Sequence, residues 1–183
     1  MRAINKLWFT PLAILLLTGC RTTHVVPEEI YIPCFREYSF DYEKPYTKIS
    51  YDKLPAEAKT FILGCFPADD IKEVGTAILQ HNGKPGFFVG LADESYIMFD
   101  KNGTFLRMYN WRNGVPKCLL QKIPHFDDMR RAINNDLKTG KHRYISCLEV
   151  HPNCYFIKVH VTDDILLYYF DKQGNLQETA VEI

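Results

Sequence analysis

Apolar residues recur at helical spacing near the start of the patterned region. In KLPAEAKTFILGCFP, from Lys53 to Pro67, the residues Leu54, Ala58, Phe61, Ile62 and Cys65 fall on one side of a helix. Pro55 suits the first helical turn, where its missing N–H costs nothing, and Pro67 stops the helix. The alternation then shortens to that of strands, expected at 71–79, 86–92, 95–99 and 104–111, with HNGKP from His81 as the first turn. The pattern then starts again. Phe126, Met129, Ile133 and Leu137 form a second helical stripe, which Thr139 and Gly140 close. Strands are expected at 143–150, 154–162, 165–170 and 175–181, separated by HPN, DD and DKQG. KIP at Lys122 echoes KLP at Lys53, and FDKQG at Phe170 echoes FDKNG at Phe99, so the order returns after about 70 residues. The pattern predicts an α+β domain over 53–183, built as a tandem repeat of one helix plus a four-stranded antiparallel meander, over 53–111 and 122–181.

The repeated FDKNG and FDKQG stretches admit two chemistries. A calcium loop needs six or more oxygens, and Asp100 and Asn102 are followed by neither a third nor a twelfth-position carboxylate. As a turn, Asp bonds the backbone just after it and Gly takes the left-handed conformation that closes a hairpin. Asp100 and Asp171 are therefore expected to be turn formers. The carboxylate pairs Asp69/Asp70, Asp127/Asp128 and Asp163/Asp164 stand beside turns and helix starts, where they cap and solvate.

The N-terminus changes where this domain is expected to work. Arg2 and Lys6 precede an apolar run from Leu7 to Leu17 that is too short to span a bilayer, and LTGC follows, ending at Cys20. This resembles the lipobox of bacterial lipoproteins, which implies a signal peptide over 1–19, lipidation of Cys20, and a tether and N-terminal segment over 20–52. An uncleaved membrane anchor is the alternative; both place the body outside the cytoplasm. No acidic run follows Arg21, which favours the periplasmic face of the outer membrane. Lys and Arg together number 22, as do Asp and Glu, a balance that offers no electrostatic footprint for nucleic acid. Cys34, Cys65, Cys118, Cys147 and Cys154 remain, an odd set in which at least one stays unpaired. Cys147, His151 and Cys154 lack zinc-site spacing, so no metal is expected. With His151 facing Cys154 across the HPN turn, Cys147 lies too far up its strand to bond Cys154.

Three stretches carry a wider resemblance: KLPAEAKTFILGCFPADDIKEV, FFVGLADESYIMFDKNGTF, and the ending LYYFDKQGNL. They resemble the beta-lactamase-inhibitor-like, PepSY-like lipoproteins of Bacteroidetes over most of the chain after Leu54. The marks are Leu54 and Pro55 before a helix, Phe66 and Pro67 after it, and FDxxG closing each third strand. The second unit departs from this, lacking the aromatic-proline step. The resemblance implies one antiparallel sheet with helices on one face and the other face open to a protein partner.

Strand alternation then selects the candidates for that face. In 154–162, Tyr155, Ile157, Val159 and Val161 form the apolar side, leaving Phe156, Lys158 and His160 on the other. In 104–111, Phe105, Arg107, Tyr109 and Trp111 share a side, and Phe88 joins by analogy with Phe156. Phe88, Arg107, Tyr109, Trp111, Phe156, Lys158 and His160 are thus the expected partner-binding residues, because aromatics and Arg are enriched in protein interfaces. The competing reading has these aromatics cover the N-terminal segment or complete the core. No GxSxG, HExxH, P-loop or GxGxxG is present, and the histidines sit in loops or at element ends, so neither an enzyme nor a cofactor is expected. The expected function is recognition of an envelope protein, inhibition included; the alternative is a structural accessory of an outer-membrane assembly or transport complex.

Overall fold

The computed structural model describes residues 46–78, 85–137, 143–162 and 164–182. The expected signal peptide, lipobox and tether, HNGKP apart from Pro85, the Thr139–Gly140 stop and Asp163 lie outside these residues. The strands are β1 (Thr47–Lys48), β2 (Ile71–Ile78), β3 (Pro85–Leu91), β4 (Tyr96–Asp100), β5 (Phe105–Tyr109), β6 (Arg143–Val150), β7 (Cys154–Val161), β8 (Asp164–Asp171) and β9 (Leu176–Glu182). The α-helices are α1 (Ala56–Leu63), α2 (Lys117–Leu120) and α3 (Phe126–Asp136). The nine strands among the described residues form one sheet in chain order, each antiparallel to the next. The class is α+β, with α1 preceding β2 to β5, and α2 and α3 preceding β6 to β9.

The helices lie on one face of this sheet, for the reason their stripes indicated. Leu54, Ala58 and Ile62 from the α1 region and Phe126, Met129 and Ile133 of α3 are buried in one cluster with Val89, Ile97, Phe99, Met108, Leu148, Ile157 and Tyr168 of the strands. Pro55 immediately precedes α1, its carbonyl accepting the Lys59 N–H at 3.1 Å, and the N–H groups of Cys65 and Phe66 both return to the Ile62 carbonyl at the helix end. Asp127 and Asp128 stand in the first turn of α3, where negative charge offsets the helix dipole, and they pair with Arg130 and Arg131 one turn on. The Tyr168 hydroxyl donates to Asp136 at 2.8 Å, tying the end of α3 to β8.

Both FDxxG stretches are hairpin corners. The Asp100 carboxylate accepts the Asn102 and Thr104 N–H groups at 2.8 Å, and Asp171 does the same for Gln173 and Asn175 at 2.9 and 2.8 Å. Gly103 and Gly174 follow at φ +94° and +82°. Each also closes on a helix start: a Cβ on Gly103 would come 2.7 Å from Pro55 Cβ, and one on Gly174 would come 2.7 Å from His125 Cβ. The turns therefore need glycine for its conformation and for its lack of bulk.

Among the strands and α-helices of the described residues, two escaped the sequence reading. β1 is too short to show alternation, and α2 is too short to show a stripe. One expected face is corrected as well. Phe99 pairs with Phe105 and Met98 with Arg107, so Leu106 is an extra residue in β5. This bulge puts Phe105 with Met108 on the helix side, while Leu106 packs with Phe88, Tyr96 and Met98 on the other.

Candidate binding face

The sheet face away from the helices is organised by register into rungs that cross the strands. One rung runs Phe88, Met98, Arg107, Glu149, Phe156 and Tyr169, on β3 to β8 in turn. The next runs Tyr96, Tyr109, Cys147, Lys158 and Leu167, on β4 to β8. A third, nearer one end, sets Tyr144 opposite His160 and His160 opposite Ile165. Antiparallel pairing keeps directly opposed residues on the same side, so alternation along each strand becomes a continuous surface across them.

At the centre lies an ionic group. Arg107 Nε is 3.2 Å from Glu149 Oε1, and its guanidinium lies 5.6 and 5.8 Å from the ring centroids of Tyr96 and Tyr109. The second Glu149 oxygen is 2.9 Å from His151 Nε2, and the Cys147 thiol donates to the first at 3.6 Å. Burial works against the Arg107 charge, but the neighbouring Cys147, Glu149 and Tyr96 outweigh it and raise the guanidinium pKa. Burial pushes the Cys147 thiol up to about 12, against the opposing pull of Arg107. A fully buried thiol with so little thiolate at neutral pH is a poor nucleophile.

Around this centre the aromatic rings pack on one another. Tyr46 meets Phe88 at 5.5 Å, Phe88 meets Tyr96 at 5.8 Å, and Phe156 meets Tyr169 at 5.1 Å. Accessible groups gather at one end. The Tyr144 ring stacks on His160 at 4.9 Å, and its hydroxyl donates to the Trp111 carbonyl at 2.7 Å. Trp111 is 46% exposed and carries the Arg112 guanidinium 4.8 Å over its ring. Lys158 reaches Glu182 of β9 at 2.8 Å. Burial, then the neighbouring Lys158, lowers the His160 pKa, with Glu182 acting in the opposite sense.

The structure puts Phe88, Arg107, Tyr109, Phe156, Lys158 and His160 on the expected face, yet these residues are not equally available. Phe88 and Phe156 are 4% and 2% exposed, so they are packing residues and not contact residues. Arg107 is committed to Glu149 and two tyrosine rings. Trp111 follows the end of β5 instead of continuing it, and reaches the group through Tyr144. His151 stands at the end of β6, as expected for an element end, and is buried there against Glu149. Sequence reasoning missed Glu149, His151 and Tyr144. The alternation CLEVH, which sets Cys147 and Glu149 on one side of β6 and continues to His151 just past its end, carried the signal for the first two.

The HPN turn has the expected register, with the His151 N–H on the Cys154 carbonyl at 2.9 Å, and Cys147 lies opposite Lys158, four residues along β7 from Cys154. Among the described residues, no group of three or more His, Cys, Asp or Glu side chains could hold a metal ion. An open cleft of about 340 Å³ lies at one edge of the face, between Lys72, Glu73, Phe88 and Tyr96. Another, of about 320 Å³, lies at the start of α3 beside His125 and Asp128.

The arrangement defines a class, an α+β domain with a single antiparallel meander, which solved structures share. A protein of the DUF2874 family from Bacteroides vulgatus, provisionally assigned to the periplasm, superposes with a TM-score of 0.60 at 18% identity, over 75% of this chain and 98% of that one. A protein from Bacteroides thetaiotaomicron, provisionally described as calcium-regulated and periplasmic, gives 0.60 at 16% identity, over 73% and 95%. A second Bacteroides vulgatus protein, of unknown function and also provisionally assigned to the periplasm, gives 0.61 at 17% identity, over 74% and 99%. No family model and no curated protein matches the chain.

Proposed function

We propose that this chain is a lipid-anchored binding module of the bacterial cell envelope that recognises another envelope protein through the sheet face opposite its helices. The observation that carries the reading is the exposed aromatic and basic end of that face. Trp111 and Arg112 are exposed there, with half-buried Tyr144 and His160 behind them, beside a buried ionic centre that pairs neighbouring strands. Large aromatics and Arg on a rigid support make interface anchors, because they bury much area while losing little conformational freedom.

The lipobox resemblance supplies the anchor at Cys20, and the periplasmic face of the outer membrane is the site that the residues after it favour. The fold neighbours, assigned to the periplasm in their own right, support the same compartment. The two helix-plus-four-strand halves are read as copies of one unit, and their matching turn glycines against helix starts support that reading. The PepSY-like and inhibitor-like resemblance of KLP, FP and FDxxG adds inhibition as the consequence of recognition. The module itself carries out no reaction and needs no cofactor.

Binding of the partner should weaken about tenfold or more for Trp111→Ala and for His160→Ala. Leu63→Ala, on the exposed side of α1, should leave it unchanged. Affinities measured on partner co-purified from native membranes decide this; equal binding by all three variants would sink the reading.

A further inference from the structure

The helix layer holds a cysteine pair outside this face. Cys65 follows α1, its N–H bonded to the Ile62 carbonyl at 2.8 Å, and Cys118 lies in α2. The Cys118 thiol donates to the Cys65 carbonyl oxygen at 3.9 Å, which sets the two residues side by side. Neighbouring groups hold the same two segments together: Lys122 Nζ donates to the Phe61 carbonyl at 2.6 Å and sits 4.8 Å over the Phe61 ring. Ile62 and Leu119, beside them, are fully buried in the common core. Both cysteines are half-buried, so a small oxidant can reach them, whereas Cys147 is fully buried and Cys154 is separated from it by register.

We propose that Cys65 and Cys118 form a disulfide that joins the end of α1 to α2, with Cys147 and Cys154 staying reduced. The oxidant is a small-molecule or protein disulfide, R–S–S–R. One protein thiolate attacks it, breaking its S–S bond and releasing one R–S⁻. The second thiolate displaces the other R–S⁻ from the mixed disulfide. In sum two protein S–H bonds and one R–S–S–R bond are lost, one protein S–S bond and two R–S–H bonds form, and two electrons with two protons pass to the oxidant. Burial, and then the Cys118 contact, push the Cys65 thiol up to about 12, so exchange is slow at neutral pH and quickens as pH rises. The bond closes a loop over a sequence separation of 53, long enough for the restriction of the unfolded chain to matter. The proposal rests on the envelope reading only for where the oxidant is met.

The test uses purified full-length lipoprotein in detergent, reduced and then exposed to oxidised glutathione, with alkylation and peptide mapping. The expected result is loss of two hydrogens, one linked peptide pair containing Cys65 and Cys118, and a melting temperature higher by about 5–15 °C than that of the reduced protein. Cys118→Ser should abolish the link while retaining the fold by circular dichroism, and Cys34→Ser should leave it intact. Separate glutathione adducts on Cys65 and Cys118, both thiols alkylated, or either joined to Cys34 or Cys154 would overturn the pairing. A link that forms in the purified protein but is reduced in native envelopes would support the pairing and count against the location.

Discussion

Glu149 holds the middle of the sheet face together because it meets Arg107 with one oxygen and His151 with the other. Both partners of the ion pair are largely removed from water, so removing one strands the other. Glu149→Ala should destabilise the domain by about 3–5 kcal/mol in denaturant unfolding, and the double replacement Arg107→Met, Glu149→Leu should recover most of that loss. A double variant no more stable than Glu149→Ala would mean that the pair does not act as a unit. His160 makes a different prediction. Its pKa is lowered from 6.5 in the folded state, so on acidification the unfolded chain takes up this proton first. The neutral ring's contribution is present above about pH 6.5 and is lost as pH falls below it. Proton NMR should find the His160 titration below 6.5, and His160→Gln should flatten the stability slope there. The outward side of β7 was legible in the sequence because strict alternation ran uninterrupted from Tyr155 to Val161. Which outward residues would be buried was not, since Phe88 and Phe156 are covered through tertiary packing that a period of two does not record.

The elements follow the same division between local rule and tertiary context. The helices α1 and α3 and eight of the strands could be read because their apolar periods are long and their ends are marked by Pro55, Pro67 and the two DKxG corners. The bulge at Leu106 could not, because an extra residue alters alternation only relative to the strand paired with it. It moved Phe105 to the helix side, where its ring stacks on Phe61 at 4.8 Å. The corners give the element-scale prediction. Gly103→Ala and Gly174→Ala each place a Cβ at positive φ and 2.7 Å from a side-chain carbon at a helix start. Each should cost about 1–3 kcal/mol in thermal or denaturant unfolding. A loss of only a few tenths for both would mean that the corners do not lock the helix starts to the sheet.

At the scale of the whole molecule, a meander in chain order places one long sheet between two unlike faces. The helix-covered face supplies most of the apolar core. The other keeps its charges paired inside and its aromatic groups accessible at one end, which suits a surface that meets a partner without rearranging. The fold class followed from the recurring helix-and-strand order; the proposed binding end did not, because Trp111 and Tyr144 come together only through the loop after β5. Recognition by that end is tested most directly by photo-crosslinking in the native envelope, with the probe placed in turn at positions 111, 160 and 63. The account predicts one protein captured at 111 and 160, spared at 63, and a soluble enzyme whose activity falls when it is bound. Capture of the same protein with equal yield from 63, or of an integral barrel from 111 and 160, would contradict it.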